Sequence, residues 1–117
     1  KELGLKSLTP LWGLEPAKLW KNMINDNFKI IIVAVCADGL DKKWLGKRID
    51  KEAVVKLTNL HDTCYVCTGF EGGEAESLVL DCPLFKKRIV VKNSVTTWDA
   101  KTQSGELIIK KIELQDK

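Results

Sequence analysis

A chain of 117 residues, 44% hydrophobic and 30% charged, fits one soluble globular domain with a modest core and excludes a disordered chain. Its 19 basic and 16 acidic residues are scattered together, so the net charge of +3 lacks the basic stripe of a nucleic-acid binder, and no direct nucleic-acid partner is expected. The longest apolar run, residues 30–37, is too short to cross a bilayer, and residues 1–12 hold no apolar stretch with a small-residue cleavage site; a cytoplasmic protein with no membrane partner is expected.

The chain opens without Met, and Lys1-Glu2-Leu3-Gly4-Leu5 reads as a helix end closing on Gly4, so residues upstream are expected. Residues 5–8, stopped at Pro10, are expected as a short strand. Glu15-Pro16 then opens a helix whose apolar face is Leu19, Trp20, Met23 and Ile24 and which ends at Asn25-Asp26-Asn27. Residues 28–35 are nearly all β-branched or apolar, the signature of a strand buried on both faces of a parallel sheet. Strand, helix and strand in that order predict a right-handed βαβ crossover.

A loop at 36–49 leads to Asp50, an N-cap with Ile49 and Val54 placed as a hydrophobic staple. Ala53, Val54, Leu57 and Leu60 give the second helix its buried stripe. Periodicity fails from His61 and glycines gather up to Gly73, which reads as a loop. Residues 77–81 form a short strand, and 85–98 with 106–114 a terminal hairpin around the turn-rich 99–105. The fold class is α/β to α+β: a mixed sheet with a βαβ unit at the N-terminal end and a C-terminal antiparallel hairpin.

The segment Gly69-Phe70-Glu71-Gly72-Gly73-Glu74-Ala75-Glu76-Ser77 sets three carboxylates within six residues around a glycine pair. Glycine lets backbone approach a ligand or take positive φ. In an extended segment Glu74 and Glu76 point to one face, where like charges need a cation, a metal or a proton between them. Two readings stand: an acidic pocket for a cationic group or an ammonium-like nucleophile, and an exposed, solvated turn.

Cys64-Tyr65-Val66-Cys67 is a single knuckle, with Cys36 and Cys82 isolated and His61 close by. A four-thiolate site is one reading; structural zinc sites pair two knuckles or add histidines, so reduced cysteines packed as small apolar residues, with no metal, are expected. Trp20 reads as core and Trp98 as a cap on the sheet, while Trp12 and Trp44 sit beside glycines, where binding and packing compete. Asp81 before Cys82-Pro83 is expected to fix a turn; Lys86-Lys87-Arg88 has two readings, a solvated strand entry, which is preferred, and contact with a phosphate or with a large ribonucleoprotein-associated acceptor.

Three ordered blocks carry a resemblance. Glu71-Gly72-Gly73-Glu74-Ala75-Glu76-Ser77, the apolar Leu78-Val79-Leu80, then Asp81-Cys82-Pro83-Leu84-Phe85 and Lys86-Lys87-Arg88-Ile89 resemble the hallmark of the diphthine–ammonia ligase family. Leu8-Thr9-Pro10-Leu11-Trp12-Gly13 is similar to that family's P-L-W-G turn. Gly39-Leu40-Asp41 with Trp44-Leu45-Gly46 and Ile49-Asp50 is similar to its G-L-x-x-x-W-L-G-x-x-I-D segment. The sequence departs from the family where Phe70 stands for a common Gly and Ala75 for a common aromatic; Phe70 is a candidate for the ring missing at Ala75, which the sequence alone does not place.

The resemblance implies an ATP-pyrophosphatase-type ligase of the PP-loop, or adenine nucleotide alpha-hydrolase-like, superfamily, acting in diphthamide biosynthesis on the translation elongation factor that bears diphthine. ATP, bound with Mg, adenylates the diphthine carboxylate; ammonia, supplied as ammonium, displaces AMP and leaves an amide. The family binds ATP through an S-G-G-x-D-S loop, which these 117 residues do not contain. By the resemblance, residues 1–12 are a remnant of the nucleotide-binding domain and 13–117 the acceptor domain, with no nucleotide expected on the fragment and no ATP turnover by it alone. Diphthine carries a trimethylammonium group, which carboxylates and aromatic faces both attract. Glu74 and Glu76 are therefore the expected catalytic residues, with the choice of base between them open; Glu71, Gly72, Gly73, Ser77, Trp44, Gly46 and Trp12 are expected to bind substrate. Two other functions remain: a non-catalytic module that holds a translation protein, and the same chemistry on another carboxylate.

Overall fold

The computed structural model describes residues 3–11, 13–64, 66–70 and 72–117. Helix α1 (Pro16–Asn25) starts with proline in its first turn, where a missing N–H costs nothing. It stops as expected at the polar cluster. Asn27 takes a left-handed φ of 65°, its N–H donates to Ile24 O (3.1 Å), and the Phe28 N–H donates to Met23 O (3.0 Å). This paired closure satisfies two orphan carbonyls and turns Phe28 back onto the core.

Strand β1 (Lys29–Cys36) follows, with Ile30, Ile32 and Val35 fully buried. Asp50 then accepts the Ala53 N–H (2.8 Å) and caps α2 (Lys51–Cys64), while the staple residues Ile49 and Val54 both sit in the core. Strand β2 (Ala75–Asp81) and the hairpin of β3 (Lys87–Asp99) and β4 (Ser104–Asp116) complete an α+β fold whose sheet order is β2-β1-β4-β3. Trp20 of α1 and Ala53, Val54 and Leu57 of α2 meet Ile30, Ile32 and Val35 of β1 in one cluster. Each large aliphatic side chain so buried contributes about 1.5–3 kcal/mol.

Three expectations are corrected. The sheet is antiparallel throughout rather than mixed, and among the described residues the helix α1 is followed by β1 without a parallel partner strand before it, so the expected βαβ unit is matched only loosely. Residues 5–8 form no strand, and Leu5 and Leu8 are exposed. The reason is that both edges of β1 are taken. On one side stands β2; on the other, β4 pairs at Ala34, Val35 and Cys36, and residues 46–49 bond to the remainder. In that strip Gly46 N–H donates to Ile32 O (2.7 Å), Ile32 N–H to Lys47 O (3.0 Å) and Ile49 N–H to Ile30 O (2.9 Å). Third, α2 runs past His61 to Cys64, since an exposed last turn needs no apolar period once the buried stripe has docked the helix. Of the helix end expected at the start, Lys1 and Glu2 lie outside the described residues, and Gly4 has the left-handed φ of 68° such an end uses. No helix is long and apolar enough to cross a membrane among the described residues.

Candidate functional site

The loop before β2 is held from below by two rings. Trp20 Nε1 donates to Thr68 O (2.7 Å), and the Trp20 and Phe70 rings meet edge to face with centroids 5.8 Å apart. Phe70 pays for that contact with a left-handed φ of 60°. It is partly buried against the same cluster that contains Ala75.

Glu74 is drawn into this loop. Its Oε2 accepts the Cys67 N–H, and the residue is only 9% exposed. Burial pushes the carboxyl upward. Hydrogen bonds from the Cys67 thiol and from the Cys67, Glu74 and Gly72 N–H groups outweigh it and hold the pKa below the usual carboxylate value. A Cβ added at Gly72 would stand 2.5 Å from Glu74 Oε1, so a side chain there would displace this carboxylate. Gly73, at φ 81°, breaks the extended chain before β2 begins. Glu74 lies in the bend ahead of β2, outside the extended strand, so Glu74 and Glu76 do not share a face as expected: Glu74 closes onto its own loop, Ala75 enters the core, and Glu76 is exposed.

Glu76 instead belongs to a row across the whole sheet. Ala34 pairs with Glu76 of β2 on one side and Glu106 of β4 on the other, and Glu106 pairs with Thr97 of β3. Directly opposed residues project to one face, so Glu76, Ala34, Glu106 and Thr97 stand side by side. Two residues along each strand, Cys36, Ser104 and Asp99 form a second row on that face. The row between them, Ala75, Val35, Gly105 and Trp98, faces the other way, and Trp98 packs against the core. An open cleft of about 620 Å³ lies here, and Glu76, Asp99 and Glu106 all line it. It can hold a cationic group of small-molecule size: three acids with an apolar floor at Ala34 and Ile108.

The sequence-predicted residues are thus divided. Glu76 and Gly73 line the cleft; Glu74 and Gly72 build the loop beneath it. Ser77 is exposed on β2 opposite Ile32. Trp44 is core, 8% exposed, with the Lys47 ammonium 5.3 Å from its ring centre. Gly46, at φ 78°, lies against Leu107 in a different cleft. Glu71 and Trp12 lie outside the described residues. Asp99 and Glu106 went unread because they sit in a hairpin whose pairing with β1 has no local signature.

The cysteines do not converge. Cys36 opens on the cleft, Cys64 is exposed at the end of α2, Cys67 joins Glu74 and Cys82 is buried. Among the described residues, no three His, Cys, Asp or Glu side chains are grouped to hold a metal ion. His61 Nδ1 lies 3.0 Å from Val66 O, where it closes the loop after α2. Asp81 has the role expected of it at the turn. Lys117 Nζ bonds Asp81 Oδ1 (2.9 Å), Cys82 O (2.9 Å) and Phe85 O (3.0 Å), and the ammonium lowers the Asp81 pKa.

The loop, strand and turn that carry these residues fall within residues 15–114, which match the family described as Diphthamide synthase C-terminal domain. The chain belongs to that family. The domain is 42% identical to a diphthine–ammonia ligase of Schizosaccharomyces pombe, over 97% of this chain and 18% of that protein. It is 37% identical to a diphthine–ammonia ligase of Homo sapiens and 38% to one of Mus musculus, in each case over all of this chain and 45% of the relative. The domain therefore spans less than half the length of these relatives.

Proposed function

We propose that this domain supplies the acceptor side of an ATP-dependent diphthine–ammonia ligase. The observation that carries the reading is the row Glu76–Ala34–Glu106–Thr97, which joins the motif glutamate to a second carboxylate on an open cleft. A trimethylammonium group brings a fixed positive charge with an apolar surface. Exposed carboxylates around an apolar floor suit both properties, with Glu76 and Glu106 flanking the charge and Asp99 extending the field toward the hairpin turn.

In the longer protein, ATP adenylates the diphthine carboxylate and pyrophosphate leaves; ammonia then attacks the acyl carbon, AMP departs, and the spare proton must be taken up. Glu76, exposed and facing the cleft, is the assigned base for ammonium. Glu74 is the positioning residue, because its carboxylate is committed to Cys67. Mg-bound ATP is assigned to the part of the longer relatives beyond this domain, and the protein substrate is the elongation factor bearing diphthine. The cell compartment assigned is the cytoplasm, where translation factors are modified.

The test is amide formation by a polypeptide joining this domain to the remaining length of its relatives. Glu76→Gln is expected to lower kcat at least tenfold while Lys21→Ala, on the exposed side of α1, leaves it unchanged; equal rates for both variants would remove Glu76 from the reaction.

A further inference from the structure

A second cleft, of about 510 Å³, lies where the hairpin splays from β1. Its origin is topological. After three paired positions with β4, the edge of β1 passes to residues 46–49, and Arg48 bridges to Ile31. The hairpin cannot pair there and stands off. Ile31, Leu80, Val91 and Leu107 line the resulting gap with aliphatic carbon, and Lys29, Arg48 and Arg88 line it with positive charge.

The charge is not internally neutralised. Asp81, the acid of the lining, is held by Lys117 at 2.9 Å. Among the described residues, neither Arg48 nor Arg88 has a carboxylate within ion-pair distance, although the charge of Arg88 is felt at Asp81. Two arginines and a lysine in one lining give the cleft positive charge suited to an oxyanion, and its aliphatic part suits an apolar body attached to that anion. The volume is that of a small-molecule site.

We propose that this cleft binds a small anion carried on an apolar body, with the phosphate or carboxylate on Arg48 and Arg88 and the body against Ile31, Leu80 and Leu107. The site is separate from the Glu76 cleft and does not depend on the ligase reading. Gly46 forms part of its wall, and side-chain bulk there would meet Leu107.

The experiment is a titration of the 117-residue chain, followed through its backbone amide signals, with phenyl phosphate and with phenylacetate. Inorganic phosphate and phenol serve as the separate halves of the first, and acetate and toluene as those of the second. The expected result is saturable movement of the Ile31, Arg48, Leu80 and Val91 signals. At least one of the two intact compounds should bind about tenfold tighter than either half, and the tighter one identifies the headgroup. Arg48→Gln and Arg88→Gln should each weaken binding about fivefold or more with other signals unmoved, and added salt should weaken it further. Inorganic phosphate binding as well as phenyl phosphate would overturn the proposal. So would movement unaffected by both arginine variants, or no saturable movement up to about 10 mM.

Discussion

Glu74 Oε2 accepts the backbone N–H of Cys67, seven residues earlier, and this single bond turns the second acid of the motif away from the cleft that the third one faces. Two glutamates one residue apart in sequence thereby acquire different tasks. Glu74 holds the loop, whereas Glu76 is left exposed on the open face of the sheet.

Glu74→Ala should destabilise the domain by about 1–3 kcal/mol, the cost of leaving a buried donor unpaired. Because the folded carboxyl has a lowered pKa, its stabilisation is fully present above the ordinary glutamate value and is lost as the pH falls toward the folded one. Chemical unfolding at a series of pH values should show that acid-side loss in the native protein and not in Glu74→Gln. Parallel curves for the two would contradict the assignment.

Trp20→Phe keeps a ring against Phe70 but removes the donor to Thr68 O. The expected loss is about 1–3 kcal/mol, seen as a lower urea midpoint with an unchanged slope. An unchanged midpoint would mean that water replaces the bond.

Glycine substitutions should separate two causes of strain. At Gly105 an added Cβ would fall 2.3 Å from Thr97 O and 2.7 Å from the Trp98 ring, so Gly105→Ala must part β3 from β4 beside the Glu76 cleft. At Gly46 the nearest side-chain atom is at 3.8 Å and only the left-handed φ of 78° resists. Gly105→Ala is expected to cost at least about 1–3 kcal/mol and to shift amide signals along both strands. Gly46→Ala should cost about 1–2 kcal/mol with local shifts. Thermal unfolding and amide spectra of the two variants check both.

Asp50→Ala removes the oxygen that receives the Ala53 N–H and should cost about 1 kcal/mol; loss of helical signal at unfolding midpoint read by circular dichroism measures it.

Local chemistry made much of this fold legible from sequence. Pro16 at the start of α1, Asp50 at the start of α2 and the turn-rich residues before Ser104 each act through near neighbours, and each was placed. The parallel strand failed because a continuous apolar run in 28–35 states burial and not direction. Ile30, Ile32 and Val35 are buried beneath the helices while the strand pairs antiparallel on both sides. Half of the candidate site failed for a related reason. The glutamate motif pointed to Glu76, but its alignment with Glu106 depends on both residues pairing with Ala34, a contact that spans the chain from 34 to 106. The motif also gave Glu74 and Glu76 the same weight, and only the positive φ of Gly73 and the position of Cys67 tell them apart.

The most direct measurement is the affinity of this domain for a peptide bearing diphthine against the same peptide with unmodified histidine, in the native chain and in the Glu76→Gln, Glu106→Gln double variant. The account predicts preference for the diphthine peptide and a loss of that preference of about tenfold in the variant, with thermal stability unchanged. Equal affinity for the two peptides, or a preference that survives both substitutions, would contradict it.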